Sequence, residues 1–301
     1  MLIIGSHVSF GKEQLLNSVK EAISYGSNTF MFYTGAPQNT IRKEIDLEKT
    51  KEAQKLMHEN NIDINNVICH APYIVNPASN DLIKQDFAIN FLKEELRRCS
   101  LMGINKMVLH PGSAVNETRE EGLNNIVKVL DAVLDNPYNV KILLETMAGK
   151  GNECGINLEE LNYLLKNVKD NTKLGVCLDT CHLNDSGVAI SAFDSYLDDF
   201  ANLIGLEKIG CVHVNDSKNP LNSHKDRHEN IGIGTIGFDN LLNVIYNKRL
   251  ENIPFILETP YVCKEDSEKE KIYPPYKFEI KMIRTKEFNP SLLEDIRAYY
   301  K

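Results

Sequence analysis

LGVCLDTCH, residues 174–182, decides how this chain folds. An unbroken apolar run carries straight into Asp179, with Thr180, Cys181 and His182 just beyond it. The same construction recurs on both sides. VICHAP at 67–72, MVLHPG at 107–112, ILLETM at 142–147, CVHVND at 211–216 and FILETP at 255–260 each deliver one His, Asp or Glu near the end of an apolar run. Reading outward from these segments, the strand candidates are Leu2–Val8, Asn28–Tyr33, Val67–His70, Lys106–His110, Lys141–Glu145, Leu174–Asp179, Ile209–Val214 and Pro254–Glu258. Longer amphipathic stretches near 12–25, 47–60, 82–102, 119–135, 158–168, 194–204, 238–248 and 276–284 alternate with them, and 290–301 reads as one further short helix. Within 82–102 the apolar residues Phe87, Phe91, Leu92, Leu96 and Cys99 recur at the helical period. Asn157 stands before LEELNYLL as a helix cap. Regular strand–helix alternation is the mark of repeated βα units. Eight of each predict an α/β fold, a single (β/α)8 TIM barrel over residues 1–301 with its active site at the C-terminal ends of the strands. An open doubly wound sheet is the structural alternative.

Composition bounds the function. At 301 residues the chain exceeds a typical single domain, but barrels of about 250 residues and more are common. Apolar residues make up 42% and charged residues 25%, the balance of an ordinary globular protein. The opening MLIIGSHVSF is too short and lacks the basic flank of a secretory signal. No stretch approaches the ~20 apolar residues that span a bilayer, so no membrane partner is expected and the location is read as cytoplasmic. The seven cysteines are scattered and odd in number, as expected of reduced thiols. Cys177 and Cys181 lack a second pair to complete a four-thiolate zinc site and read as structural. Lys264–Lys271 reads as a solvated charged loop. Gly232–Gly237 spells GxGxxG but follows a polar loop rather than a strand, so a dinucleotide site is not expected.

The strand ends carry the chemistry. His70, His110, Glu145, Asp179, His213 and Glu258 stand at the C-terminal edges of six consecutive strands, and in a barrel those edges meet on one face. A lone His there is more often a hydrogen-bonded core residue, and a lone carboxylate commonly caps the next helix. Three imidazoles and three carboxylates in one cavity, with no matching ring of Lys or Arg, call for a cation. Mixed imidazole and carboxylate ligation favours Zn²⁺, with Mn²⁺ or Fe²⁺ possible, over Mg²⁺ or Ca²⁺. His70, His110 and Glu145 would serve one ion, and Glu145, Asp179, His213 and Glu258 another, with Glu145 able to bridge. An outer group comprises His182, three residues after Asp179, and Asp226-Arg227-His228. In extended backbone residues i and i+2 point the same way, so Asp226 and His228 would pinch one ion with His182. Three protein ligands and an open position form the pattern of a catalytic zinc. His224 and His58 are left out of the ligand set.

These segments resemble the endonuclease IV family of zinc-dependent abasic-site endonucleases (AP endonuclease family 2). The signatures are GSHVS at 5–9, HAPYIVN at 70–76, GVCLDTCH at 175–182, HVNDSK at 213–218 and DRHENIG at 226–232, spread over nearly the whole chain in the family's order. The resemblance implies three zinc ions per chain and incision of duplex DNA on the 5′ side of an abasic sugar, leaving a 3′-hydroxyl. It assigns His70, His110 and Glu145 to the first zinc, Glu145, Asp179, His213 and Glu258 to the second, and His182, Asp226 and His228 to the third. Two metals about 3.5–4 Å apart can share a hydroxide and clamp the phosphate, with Glu145 as the bridge. Tyr73 resembles the residue that family members insert at the lesion, where stacking contributes roughly 1–3 kcal/mol. The loop YTGAPQNT at 33–40 departs from the pattern, lacking the basic or bulky wedge of some relatives, and Arg42 lies far along for that role. The net charge of −8 argues against a phosphate partner, but three zinc ions would bring it to −2. A monomer with no protein partner is expected.

Two other classes compete. Sugar isomerases and epimerases place Glu, Asp, His and Glu at the strand ends of similar barrels, but have no need of His182, Asp226 and His228. A non-catalytic DNA-binding protein with structural zinc would close each site with four ligands, usually thiolates.

Overall fold

The computed structural model describes residues 1–301, and its sheet closes on itself. The barrel strands are β1 (Ile4–His7), β2 (Thr29–Phe32), β3 (Ile68–His70), β4 (Lys106–Leu109), β5 (Lys141–Glu145), β6 (Leu174–Asp179), β7 (Ile209–Val214) and β8 (Phe255–Leu257). Each lies parallel to the next. β8 returns to β1 through Ile4↔Phe255, Gly5↔Ile256 and Ser6↔Leu257, which removes both edges and with them the open-sheet alternative. The ring is covered by α1 (Leu15–Ser24), α2 (Leu47–Glu59), α3 (Leu82–Met102), α4 (Arg119–Leu134), α5 (Leu158–Asn167), α6 (Thr180–Ser186), α7 (Phe193–Leu203), α8 (Phe238–Ile245), α9 (Tyr276–Thr285) and α10 (Leu292–Tyr300).

Local chemistry accounts for most boundaries. Asp46, Asp81 and Asn157 accept backbone N–H groups at the starts of α2, α3 and α5, and Thr118 with Glu121 forms a reciprocal capping box on α4. α6 is an element that sequence periodicity did not reveal. It is a short helix whose N-cap is Asp179 itself, with Oδ1 accepting the His182 N–H at 2.8 Å, and it ends at Gly187 with φ 109°. The cap and the glycine were its legible signals. The charged loop at 264–271 is the exposed turn of a small hairpin pairing Val262–Cys263 with Lys271–Tyr273.

Two apolar layers hold the barrel. The outer one lies between strands and helices, and the inner one consists of Met31, Ile68, Val108, Leu143, Cys177, Cys211 and Ile256, one from each of β2 to β8. Leu143 fills the floor only because its neighbours yield: a Cβ at Gly175 or Gly210 would stand 2.8 or 2.5 Å from its Cδ2. The floor is therefore packed, and the mouth above it is left to polar side chains. All seven cysteines are free thiols. No helix is long and apolar enough to cross a membrane.

Candidate metal centre

The mouth is organised around Glu145, the last residue of β5. Its Oε2 lies 3.2 Å from His70 Nε2 and 3.0 Å from His110 Nε2. Its Oε1 lies 3.0 Å from His213 Nδ1 and 3.4 Å from His182 Nδ1. His213 Nδ1 is also 3.1 Å from Glu258 Oε2 and 3.9 Å from Asp179 Oδ2. Farther out, His182 Nε2 is 3.1 Å and His228 Nε2 3.5 Å from Asp226 Oδ1, and His228 Nε2 is 4.0 Å from Asp179 Oδ2. All nine predicted residues thus meet in one continuous cluster. His70, Glu145, Asp179, His182 and His213 form its buried floor, while His110, Asp226, His228 and Glu258 form a rim that solvent reaches.

Two of the three predicted ligand groups stand as compact triads: His70, His110 and Glu145, and His182, Asp226 and His228, each with ligand atoms within 4.8 Å of one another. The predicted middle group is drawn together by a single imidazole, since His213 alone touches Glu145, Glu258 and Asp179. Cys181 lies close to Asp179 and His228, but burial pushes its thiol well above the usual range, leaving it protonated and a poor ligand. The outer triad forms for a different reason from the one that extended backbone suggested. Asp226 has φ 54°, in the left-handed region, and only His228 is in a strand, paired through Ser217↔His228 and Asp216↔Glu229. A kink, rather than an i, i+2 alternation, turns the two side chains toward the same point. His224 is exposed, with Nδ1 held by the Ala148 carbonyl at 3.0 Å, and His58 lies in the last turn of α2.

The imidazoles are oriented from behind. His70 Nδ1 donates to the Ala71 carbonyl at 2.7 Å, His182 Nδ1 to the Thr146 carbonyl at 2.9 Å and His228 Nδ1 to the Glu258 carbonyl at 3.3 Å. Carbonyls only accept, so in each ring a proton sits on Nδ1 and Nε2 is the nitrogen turned toward the cluster. Asn215, which sequence reasoning passed over, donates through Nδ2 to Asp179 Oδ2 at 2.7 Å and accepts the Glu258 N–H at 2.9 Å. It joins β7 and β8 behind their ligands.

The electrostatics call for positive charge. None of Glu145, Asp179, Asp226 or Glu258 pairs with a lysine or arginine; imidazoles are their only ionisable partners. Burial pushes Glu145 up, yet His213 and His110 outweigh it and hold the carboxyl well below its ordinary range. Burial likewise disfavours charge on His182, but Asp179 and Asp226 raise its pKa well above the imidazole value. Asp226 is brought down to about 2 against burial, chiefly by His182. A divalent cation does the same work without protonating its own ligands. The donor set fits one: imidazole nitrogen and carboxylate oxygen converge, and His228 Nε2, at the centre of the outer triad, is buried without a hydrogen-bond partner.

The side toward β1 and β2 opens into a cavity of about 570 Å³, lined in part by His7, Phe10, Tyr33 and Thr34. The His7 ring lies 4.8 Å from Tyr33, and Tyr33 lies 5.2 Å from His70. Burial holds the His7 pKa down to about 4, so this ring of the wall is neutral. The loop above it is anchored from α3. Arg42 Nε meets the buried Glu95 at 2.7 Å, Thr34 Oγ1 donates to Glu95 at 2.6 Å, and Arg98 donates to the Thr34 and Lys43 carbonyls at 2.9 and 2.7 Å. Arg42, with 6% of its side chain exposed, is therefore spent inside the loop, whereas Tyr73 stands 56% exposed after β3. The glycines of 232–237 wrap a carboxylate of their own chain. Asp216 accepts the amides of Gly232, Gly234 and Ile236 at 3.0, 3.1 and 2.9 Å, occupying the N–H groups a phosphate would use.

Behind the rim, Glu279 of α9 is fully buried and accepts from Asn230 Nδ2 at 3.1 Å, the Ile231 amide at 3.0 Å and the Thr259 hydroxyl. It ties the His228 loop to the end of β8. Burial raises its carboxyl from 4.5 to about 7. A folded pKa above the unfolded one means that the acid's contribution is complete below about pH 4.5 and is lost as pH rises through 7. At 1.36 kcal/mol per unit, the loss is about 3 kcal/mol. Glu279→Gln, which mimics the neutral acid, is expected to melt near wild type at pH 5 and clearly above it at pH 8. Parallel melting curves at both pH values would contradict this.

A barrel with a convergent set of imidazoles and carboxylates at its C-terminal mouth defines the class, and residues 19–284 match the family model of the xylose isomerase-like TIM barrel. Among solved structures, a D-tagatose 3-epimerase-like protein shares the fold with TM-score 0.66 at 20% identity, over 99% of this chain and 100% of its own. Endonuclease IV from Thermus thermophilus has TM-score 0.78 at 27% identity, over 97% of this chain and 99% of its own. A probable endonuclease 4 from Acholeplasma laidlawii is 51% identical over 296 residues, 97% of this chain and 98% of the relative. The chain belongs to the endonuclease IV family.

Proposed function

We propose that this protein is a DNA repair endonuclease that hydrolyses the phosphodiester 5′ to abasic sites in duplex DNA and leaves a 3′-hydroxyl. It works as a single-domain monomer in the cytoplasm with three divalent metal ions, zinc foremost and Mn²⁺ or Fe²⁺ admissible. The observation that carries the reading is Glu145, one buried carboxylate within 3.4 Å of imidazoles from four directions and without a lysine or arginine. His70, His110 and Glu145 would hold one ion, Glu145, Asp179, His213 and Glu258 a second, and His182, Asp226 and His228 the third. Such ions supply activated water and positive charge against the anionic phosphate, which resists attack because it already carries charge. The chain's own groups fix the arrangement. Backbone carbonyls behind His70, His182 and His228 turn each Nε2 toward the cluster, Asn215 holds Asp179 beside the Glu258 strand end, and Glu145 would contribute to holding both inner ions.

The outer triad separates this reading from the sugar-epimerase alternative, because one or two metals suffice for a ketose. Tyr73, exposed at the rim, is suited to stack where a base is missing. Arg42 is excluded from that role by its ion pair with Glu95. Tyr73→Ala is expected to raise KM for an abasic duplex about tenfold, the equivalent of roughly 1.4 kcal/mol of lost stacking, with kcat within a few-fold. A fall in kcat with KM unchanged would remove Tyr73 from lesion binding. The function itself is tested with a fluorescent duplex bearing one tetrahydrofuran abasic analogue, together with elemental analysis. Nicking at the analogue with about three metals per chain supports the proposal. Binding without nicking points to a non-catalytic DNA-binding protein, and turnover of a ketose with ~1–2 metals points to an epimerase.

A further inference from the structure

The loop that brings Asp226 to the rim carries three non-glycine residues in left-handed backbone, alternating along the chain: Asn222 (φ 63°), His224 (φ 53°) and Asp226 (φ 54°). L-residues leave that region unless their surroundings hold them there, and such outliers gather where a side chain must be aimed. Here the restraint comes from the C-terminal end of α6. The Asn222 amide donates to the Asn184 carbonyl at 2.9 Å and the His224 amide to the Asp185 carbonyl at 2.9 Å. The Asp226 amide donates to the Asp185 side chain, Oδ2, at 3.0 Å. The other oxygen, Oδ1, accepts the Ser217 hydroxyl at 2.7 Å and Asn184 Nδ2 at 3.1 Å. Asp185 is 0% exposed and has no lysine or arginine partner. One buried carboxylate therefore ties together the two ends of the excursion, Ser217 leaving β7 and Asp226 at the metal centre.

We infer that Asp185 is the positioning residue for the outer metal site: it holds Asp226 in the left-handed conformation that completes the triad with His182 and His228. It lies outside the nine candidate ligands and acts through the Asp226 backbone. Its own helix also carries His182, so α6 supplies one ligand directly and sets a second through the loop. Without Asp185, the Asp226 amide has no acceptor and the kink has no restraint at its last residue, while the inner ligands at the strand ends stay where the barrel puts them. The outer ion is thereby the one whose affinity depends on a loop anchor, and it is the first to be lost when that anchor is removed.

This inference rests on the three-metal reading, and the test separates the two. Wild type, Asp185→Ala and the isosteric Asp185→Asn, which turns a donor toward the Asp226 amide or toward Asn184 Nδ2, are loaded with zinc and titrated with a competing chelator, and bound zinc is counted by elemental analysis. Wild type is expected to hold three ions. Both variants are expected to hold two at wild-type affinity and the third at least tenfold more weakly, with full occupancy returning in excess zinc. Cobalt-loaded protein gives a second readout: absorption from the inner pair is unchanged and the outer contribution is lost. Should Asp185→Ala fail to fold, Asp185→Asn, equal in volume, carries the measurement. Three ions of undiminished affinity in a folded variant overturn the role of Asp185 alone. Fewer than three in saturated wild type overturn the trinuclear reading, and this inference with it.

Discussion

Replacing Glu145 with glutamine is expected to cut nicking of an abasic duplex by roughly 10⁴-fold, about 5.5 kcal/mol of barrier at 1.36 kcal/mol per decade. The substitution barely changes volume, so the packed floor of the barrel is preserved. What changes is charge and donor pattern at the one group that touches four imidazoles. An amide nitrogen there has no lone pair to offer a cation held beside His70 and His110, or beside His213 and His182. Only one of the two oxygens would remain for the cations that the proposed function places on either side. Metal content should fall with activity, and the loss should greatly exceed that of Tyr73→Ala, whose side chain stands at the exposed rim. Steady-state nicking assays and elemental analysis on folded protein make the comparison. Equal residual activity in the two variants would refute the division of labour between bridge and lesion contact.

Removal of all metal is expected to abolish nicking and to lower the melting temperature by at least about 10 °C, with both restored by zinc. The proposed ligands stand at or just beyond the ends of β3 to β8, on α6 and on the loop after β7, so an ion held among them would link elements distant in sequence. At free zinc 100-fold above the dissociation constant, each ion adds about 2.7 kcal/mol. Two or three such ions at a few degrees per kcal/mol give the expected shift. The metal-free chain should remain folded, because its two apolar layers do not involve the cluster. Melting and nicking that are both indifferent to a strong chelator would rule out a metal centre at this mouth.

The barrel was legible because parallel strands buried on both sides are written as continuous apolar runs, and the ranges 141–145, 174–179 and 209–214 coincide with the strands observed. The floor of the site was legible for a related reason: a residue at the end of such a run is delivered to the common mouth by closure alone, as His70, Glu145, Asp179 and His213 are. Less was legible where the chain leaves the strands. Asp226 and His228 were identified by residue type, but the backbone that joins them is kinked, and nothing in DRH announces a left-handed residue. α6 was missed because a seven-residue helix is too short to show a period. Arg42 could be doubted as a wedge from its position, but only its contact with Glu95, 53 residues away, accounts for it.

The sequence by itself thus determined the eightfold alternation, the face on which chemistry would gather and the residue types able to bind a cation there. These depend on local periodicity and on the geometry every parallel barrel shares. Only the tertiary structure decided which nitrogen each imidazole presents, how Asn215 and Asp185 hold the ligands, and that one carboxylate stands among four rings. Apart from the His70 contact with neighbouring Ala71, those outcomes rest on contacts between residues 30 to 75 positions apart, and no local pattern encodes a distance of about 3 Å across such a span.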